Sequence, residues 1–201
     1  NYGVNDSDPE SAHPQVRGFI VREYSQLPSN WKCQQDLDAY LKQAGIMAMC
    51  GIDTRMLTKR LRNHGTLRGR LCLAPPTEED FAQIRRIRID HPVQQVTCQA
   101  AYTLPGQGKR VAVLDFGLKK SILTSLQARG CALRVFPAFT KAAEVLAWNP
   151  DGIMLTNGPG DPKDNGSIIE EVKKLIGQRP IFGICLGHQL MALANGADTE
   201  K

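Results

Sequence analysis

The sequence lacks the marks of several large protein classes. No apolar run approaches the ~20 residues that a bilayer-spanning helix needs, which excludes a helical membrane span. Asn1 to Glu10 is polar and acidic, without the basic start and apolar stretch of a secretory leader. There is no CxxC pair and no Cys/His cluster with zinc spacing, so no metal site is expected. Aromatics make up only 6% of the chain, and none is interleaved with its densest basic run as a nucleic-acid stacking surface requires. Neither nucleic acid nor a membrane is therefore expected as a partner. There is no Walker-type phosphate loop, no internal repeat and no low-complexity tract. Histidine is scarce: His13, His64, His91 and His188 are all there are.

What remains is an ordinary globular composition. The 201 residues are 42% apolar and 22% charged, enough for one large domain or two small ones. The chain opens on Asn1 without an initiator Met and closes just after a helical pattern, so an internal fragment of a longer chain is expected. The net charge of +5 is spread along the chain, with one dense run at Arg55, Lys59, Arg60, Arg62, Arg68 and Arg70. That run reads either as the solvated face of a helix and the strand after it, or as a surface for an acidic partner or nucleic acid, the latter disfavoured by the missing aromatics. The six cysteines are Cys33, Cys50, Cys72, Cys98, Cys131 and Cys185. The apolar neighbours of Cys50, Cys72 and Cys131 suggest reduced, buried thiols in a cytoplasmic protein.

Breaker residues from Leu104 to Lys109 divide the chain into 1–104 and 105–201. In the first part, strands are expected at Gly18–Tyr24, Ile46–Cys50 (short and buried) and Leu67–Leu73. Helices are expected at Asp36–Ala44, after an Asp53 cap with Met56, Leu57 and Leu61 on the apolar face, and after a Thr77 cap. Residues 90–104 read as irregular. The second part is regular, with strands at 110–115, 132–136, 152–156 and 180–184. Helices follow at 119–129, 140–148 (capped by Thr140), 167–176 and 186–194. Four β–α units in a row predict an α/β fold: a parallel sheet covered by helices on both faces, preceded by a smaller mixed α/β domain. Ligands of such sheets sit at the carboxyl ends of the strands.

Two strand ends carry the chemistry. Gly183-Ile184-Cys185-Leu186-Gly187 is a G-x-nucleophile-x-G turn between a strand and a helix. It would lift the Cys185 sulfur to a helix N-terminus, where free N–H groups favour thiolate. The Leu186 N–H would point at an oxyanion. The other reading is a buried cysteine in a plain turn. The second strand end, Thr156-Asn157-Gly158-Pro159-Gly160-Asp161-Pro162, could supply further open N–H groups or be a simple connection. A cysteine nucleophile wants a His base. His188, one turn along the same helix, reads better as a group packed under the elbow.

The segment Gly183-Ile184-Cys185-Leu186-Gly187-His188-Gln189, with Asn157-Gly158-Pro159-Gly160-Asp161-Pro162, resembles the class I glutamine amidotransferases. Asn1-Tyr2-Gly3-Val4-Asn5, Gly18 to Arg22, Gly51 to Thr58 and Leu114 to Lys119 narrow the resemblance to the small-chain family of carbamoyl-phosphate synthase. That resemblance implies a class I amidotransferase-like fold, incomplete at its end, in 105–201, and a small-chain domain lacking its start in 1–104. It implies Cys185 as nucleophile on the side-chain amide of L-glutamine, with Gly158 and Leu186 as oxyanion-hole donors. Gly158, Gly160, Leu186 and Gln189 would contact the substrate. The family's catalytic His and Glu would fall after Lys201, and a substrate-contacting Ser before Asn1. The ammonia would pass to a large synthetase subunit, in a heterodimer or higher assembly, which makes carbamoyl phosphate for arginine and pyrimidine synthesis. No cofactor is expected in this chain; ATP and divalent metal would bind the large subunit. The anthranilate synthase glutaminase, a cysteine variant of the α/β-hydrolases and a non-catalytic docking module are the competing readings. The first has no need of residues 1–104, the second lacks Gln189 and the Asn-Gly-Pro-Gly loop, and the third has no need of a cysteine at 185.

Overall fold

A computed structural model describes residues 3–200 apart from Asp8 and Ala12, so the Asn1-Tyr2 start of the quoted motif lies outside the described residues. The chain forms two compact units, residues 1–88 and 89–201. The expected division at Leu104 is thus displaced, because residues 89–104 are built into the second unit.

In the first unit, β1 (Gly18–Ile20) pairs in parallel with β2 (Met47–Met49). Helix α1 (Leu37–Gln43) starts where the Asp36 carboxylate accepts the Ala39 N–H. Helix α2 (Thr54–His64) starts likewise at Asp53, which accepts from Met56, and ends at Gly65 with φ 77°. Helix α3 (Glu78–Arg86) opens on a reciprocal Thr77/Asp80 capping box. Other expectations fail here. Leu67–Leu73 is not a strand: no neighbour pairs its backbone, and Leu73 is exposed. β2 is not buried, and Met56 and Leu61 of α2 stay exposed. Leu41 is the one core-forming hydrophobic that this unit buries among the described residues.

The second unit is built on a five-stranded sheet in the order β3-β5-β4-β6-β7. These strands are β3 (Tyr102–Leu104), β4 (Arg110–Asp115), β5 (Ala132–Pro137), β6 (Gly152–Leu155) and β7 (Ile181–Gly183). Four run parallel, as the β–α alternation predicts, but β3 joins antiparallel to β5 and makes the sheet mixed. Residues 90–104 are therefore not irregular: they hold α4 (Pro92–Val96) and β3, which gains strand form only from its pairing with β5.

Strand alternation sends side chains to two cores. Ala112, Leu114, Phe136, Ile153 and Leu155 lie under α6 (Ala142–Ala147), α7 (Gly166–Leu175) and α8 (Leu186–Ala194). Val113, Leu133 and Val135 pack with Leu123 of α5 (Lys120–Gln127) on the other face. Helices thus cover both faces. Thr140 does not cap α6. Its first turn is capped from α7, where buried Glu171 accepts the Ala142 N–H at 2.9 Å. All six cysteines are free thiols, but Cys50 is exposed and Cys72 and Cys131 are only half-buried, so their apolar neighbours do not bury them. No helix among the described residues is long and apolar enough to cross a membrane.

The connections set the place of a site. From β4 the chain moves through α5 to β5 on one side, and from β6 through α7 to β7 on the other. The reversal between β4 and β6 is the switch point of the sheet, and ligands of open α/β sheets bind at the carboxyl ends of the strands at such a point.

Candidate active site

Register aligns three strand ends at that switch point: Leu114 pairs with Leu155, and Leu155 with Gly183. Two residues further along each strand come Phe116, Asn157 and Cys185. The elbow is tied to β6 by two backbone bonds, Ile184 N–H to Leu155 O at 2.9 Å and Gly187 N–H to Thr156 O at 3.0 Å. Cys185 is exposed and stands at φ 51°, ψ −111° as the residue before α8. A non-glycine residue at positive φ is strained, and such strain persists only where neighbours over-determine it. The neighbours here are close. A Cβ on Gly187 would lie 2.3 Å from Leu155 O, and one on Gly183 would lie 2.6 Å from the His188 nitrogen. Both flanking glycines are therefore required for α8 to start against β6.

The Gly158 loop is held as tightly. A Cβ there would lie 2.3 Å from Phe116 O and 2.7 Å from Leu186 Cδ2. Gly158 is thus wedged between the β4 turn and the residue that follows Cys185. Neither its N–H nor that of Leu186 has a hydrogen-bond acceptor among the described residues. Gly160, at φ 91°, faces Pro92 of α4, whose Cγ would lie 2.6 Å from an added Cβ. Gln189 is half-buried on the first turn of α8 and donates its N–H to Cys185 O. The structure therefore brings Cys185, Leu186, Gly158, Gly160 and Gln189 to one end of the sheet.

It does not bring a histidine into a bond with Cys185 among the described residues. His188 is exposed rather than packed under the elbow, because the buried stripe of α8 is Leu186, Gly187, Leu190 and Ala194. No cluster of metal-ligating side chains occurs among the described residues.

Three residues at this end of the sheet were given no role by sequence reasoning. Asp115 is buried at the end of β4, and its carboxylate accepts N–H groups of Gly117, Leu118 and Cys98, each at 2.9 Å. Burial, then the Asp115 charge, push the Cys98 thiol up to about 11, so it stays protonated where an exposed thiol ionises. Thr156 and Asn157 bond the β6 loop to the β4 turn: Thr156 Oγ1 accepts from Phe116 N–H, and Asn157 Nδ2 donates to Gly117 O. A Thr ending an apolar strand is the one sequence signal that could have marked this network.

The elbow cysteine and the two backbone amides without acceptors thus stand at the switch point of the mixed sheet. Residues 112–201 match the family model for glutamine amidotransferase class-I, which gives the second unit its class. Residues 1–71 match the CPSase domain of the carbamoyl-phosphate synthase small chain. Matched in this order, the two stretches make the chain similar to the carbamoyl-phosphate synthase small chains. It is 50% identical over 203 residues to a carbamoyl phosphate synthase small chain of Listeria monocytogenes, covering all of this chain and 56% of that one. It is 49% identical to the small chain of Bacillus caldolyticus (56% of that protein) and 48% to that of Clostridium perfringens (58%). The chain thus spans about half the length of the curated relatives it matches. Among solved structures, a Thermoplasma acidophilum protein described as part of a GMP synthase overlaps 46% of this chain and 47% of its own, at 27% identity and a TM-score of 0.41.

Proposed function

We propose that this chain carries the glutamine-hydrolysing site of a carbamoyl-phosphate synthase. The observation that supports the reading best is the strained, exposed Cys185 beside two backbone N–H groups, those of Leu186 and Gly158, that have no protein acceptor among the described residues. In the proposed reaction the Cys185 thiolate attacks the side-chain carbonyl carbon of L-glutamine. The carbonyl oxygen becomes an oxyanion, which the two N–H groups stabilise. Once the proton that the thiol gave up has passed to the amide nitrogen, collapse breaks the C–N bond, releases ammonia and leaves a glutamyl thioester on Cys185. Water then adds to the thioester carbon, glutamate leaves and the thiol is restored. Gly160 and Gln189 line the substrate's place.

The ammonia is consumed by a large synthetase subunit, which binds ATP and divalent metal and joins the nitrogen to bicarbonate. The product, carbamoyl phosphate, feeds arginine and pyrimidine synthesis in the cytoplasm. The first unit, with its basic run from Arg55 to Arg70, is the candidate for docking that large partner.

The described residues supply a nucleophile and amide donors but no base bonded to it. These 201 residues alone should therefore acylate or alkylate at Cys185 yet turn over glutamine slowly, since loss of a catalytic base costs several orders of magnitude in rate. The test is labelling with a diazo-ketone analogue of glutamine, mapped by peptide mass spectrometry, alongside ammonia release. The expected result is modification of Cys185 that excess glutamine blocks, with ammonia release far below that of the complete enzyme. Labelling that glutamine does not slow would overturn the glutaminase reading.

A further inference from the structure

We propose that Thr156 and Asn157 are positioning residues, which set the Gly158 N–H in line with the Leu186 N–H for the oxyanion formed on glutamine. The proposal rests on the glutaminase reading above and goes one layer behind it.

Thr156 is fully buried at the end of β6 and bonds in three directions. Its hydroxyl accepts the Phe116 N–H at 2.9 Å from the β4 turn and donates to Asn157 O at 3.0 Å. Its carbonyl accepts the Gly187 N–H of the elbow at 3.0 Å. Asn157 then spans the β4 turn with both ends of its amide: Nδ2 donates to Gly117 O at 2.8 Å, and Oδ1 accepts from Lys119 N–H at 3.1 Å. These contacts fix the peptide planes on either side of Asn157, and the second of those planes carries the Gly158 N–H. Gly158 itself fits between Phe116 O and Leu186 Cδ2 with no room for a side chain. The two donor residues are therefore in van der Waals contact, and their relative placement follows from the Thr156 and Asn157 bonds.

A purely structural role is the competing explanation, because Val would fill the same buried space and the hydroxyl also satisfies a backbone donor. The two differ in which reaction of Cys185 they affect. Alkylation by iodoacetamide forms no oxyanion and needs only an accessible thiolate. Attack on a glutamine-like carbonyl needs aligned donors, and loss of one such donor costs roughly 100- to 1,000-fold in kcat.

The experiment compares the rates at which a diazo-ketone glutamine analogue and iodoacetamide modify Cys185 in the complete enzyme, in wild type and in Thr156→Val, Thr156→Ser and Asn157→Ala. Misaligned rather than missing donors should lower the analogue rate about tenfold or more in Thr156→Val and less in Asn157→Ala. The iodoacetamide rate should stay within about twofold, and Thr156→Ser should recover most of the analogue rate. Unchanged analogue rates in both loss variants, or equal slowing of both reagents, would overturn the proposal. If Thr156→Val does not fold, the half-exposed Asn157→Ala decides on the same criteria. The wild-type control separates the two levels: failure of glutamine to protect Cys185 there sinks the glutaminase reading and this inference with it.

Discussion

At the scale of single residues, Cys185 is held where glycine is favoured. Positive φ in a non-glycine residue of this kind costs of order 1–3 kcal/mol. Glycine would relieve that strain and give back roughly 0.5–1 kcal/mol through its freer unfolded chain. Cys185→Gly should therefore be more stable than Cys185→Ala by about 1 kcal/mol, while both lose all labelling by the glutamine analogue. Urea unfolding of the two variants checks this, and equal midpoints would mean that the elbow is not strained. The elbow's flanks leave no such latitude. With Leu155 O only 2.3 Å from a Cβ at position 187, the strand and helix must separate before any side chain fits. The G-x-C-x-G spacing made this legible in the sequence, because the two glycines and the thiol stand for a single local geometry. The role of Asp115 was not legible, since its partners Cys98, Gly117 and Leu118 come together only when residues 89–104 fold onto the end of β4.

At the scale of elements, α6 depends on α7. Helix α6 has no side-chain cap of its own, and the Glu171 carboxylate serves instead, bonded to Ala142 N–H, Lys174 Nζ at 2.9 Å and Lys141 Nζ at 3.2 Å. The bond from Ala142 N–H, then those from the lysines, lower the Glu171 carboxyl from its usual 4.5 to about 2. A carboxyl lowered in the folded state stabilises fully above its unfolded value, and that contribution is lost as pH falls from about 4.5 towards about 2. Glu171→Gln should melt below wild type at neutral pH, and the gap should close as pH falls through that window. Thermal melts of both proteins across the range are the measurement, and a gap that persists at pH 2 would remove Glu171 from this role. The elements β4 to α8 were readable because the strands are short apolar runs, of which β4, β5 and β6 are largely buried, and the helices between them carry an apolar stripe. The cap of α6 was not, because the residue that performs it lies on the next helix. Leu67–Leu73 failed for the opposite reason: its pattern suits a strand, but a strand exists only where another pairs with it.

At the scale of the whole molecule, the division at residue 88 places α4 and β3 with the amidotransferase sheet. Val93 is fully buried there, worth roughly 1.5–3 kcal/mol for a side chain of its kind. Thr97 Oγ1 donates to Asp115 O and accepts from Ala138 N–H, and β3 covers the outer edge of β5. A fragment of residues 89–201 should therefore melt at a higher temperature than one of 105–201, and the shorter one should self-associate through its bare β5 edge. Equal melting temperatures would restore the boundary at Leu104. The backbone bonds that carry Ile184 and Gly187 onto β6 have a further consequence, for folding. The glycines permit the elbow locally, but its backbone is held there by Leu155 and Thr156 at the end of the preceding strand, so it forms only once β6 and β7 have paired. A chain one residue out of register on β6 would turn its side chains to the wrong face and leave the thiol in a relaxed loop. Reactivity at Cys185 is thus an assay of completed folding: a nascent or misthreaded copy carries the cysteine but not the elbow that presents it.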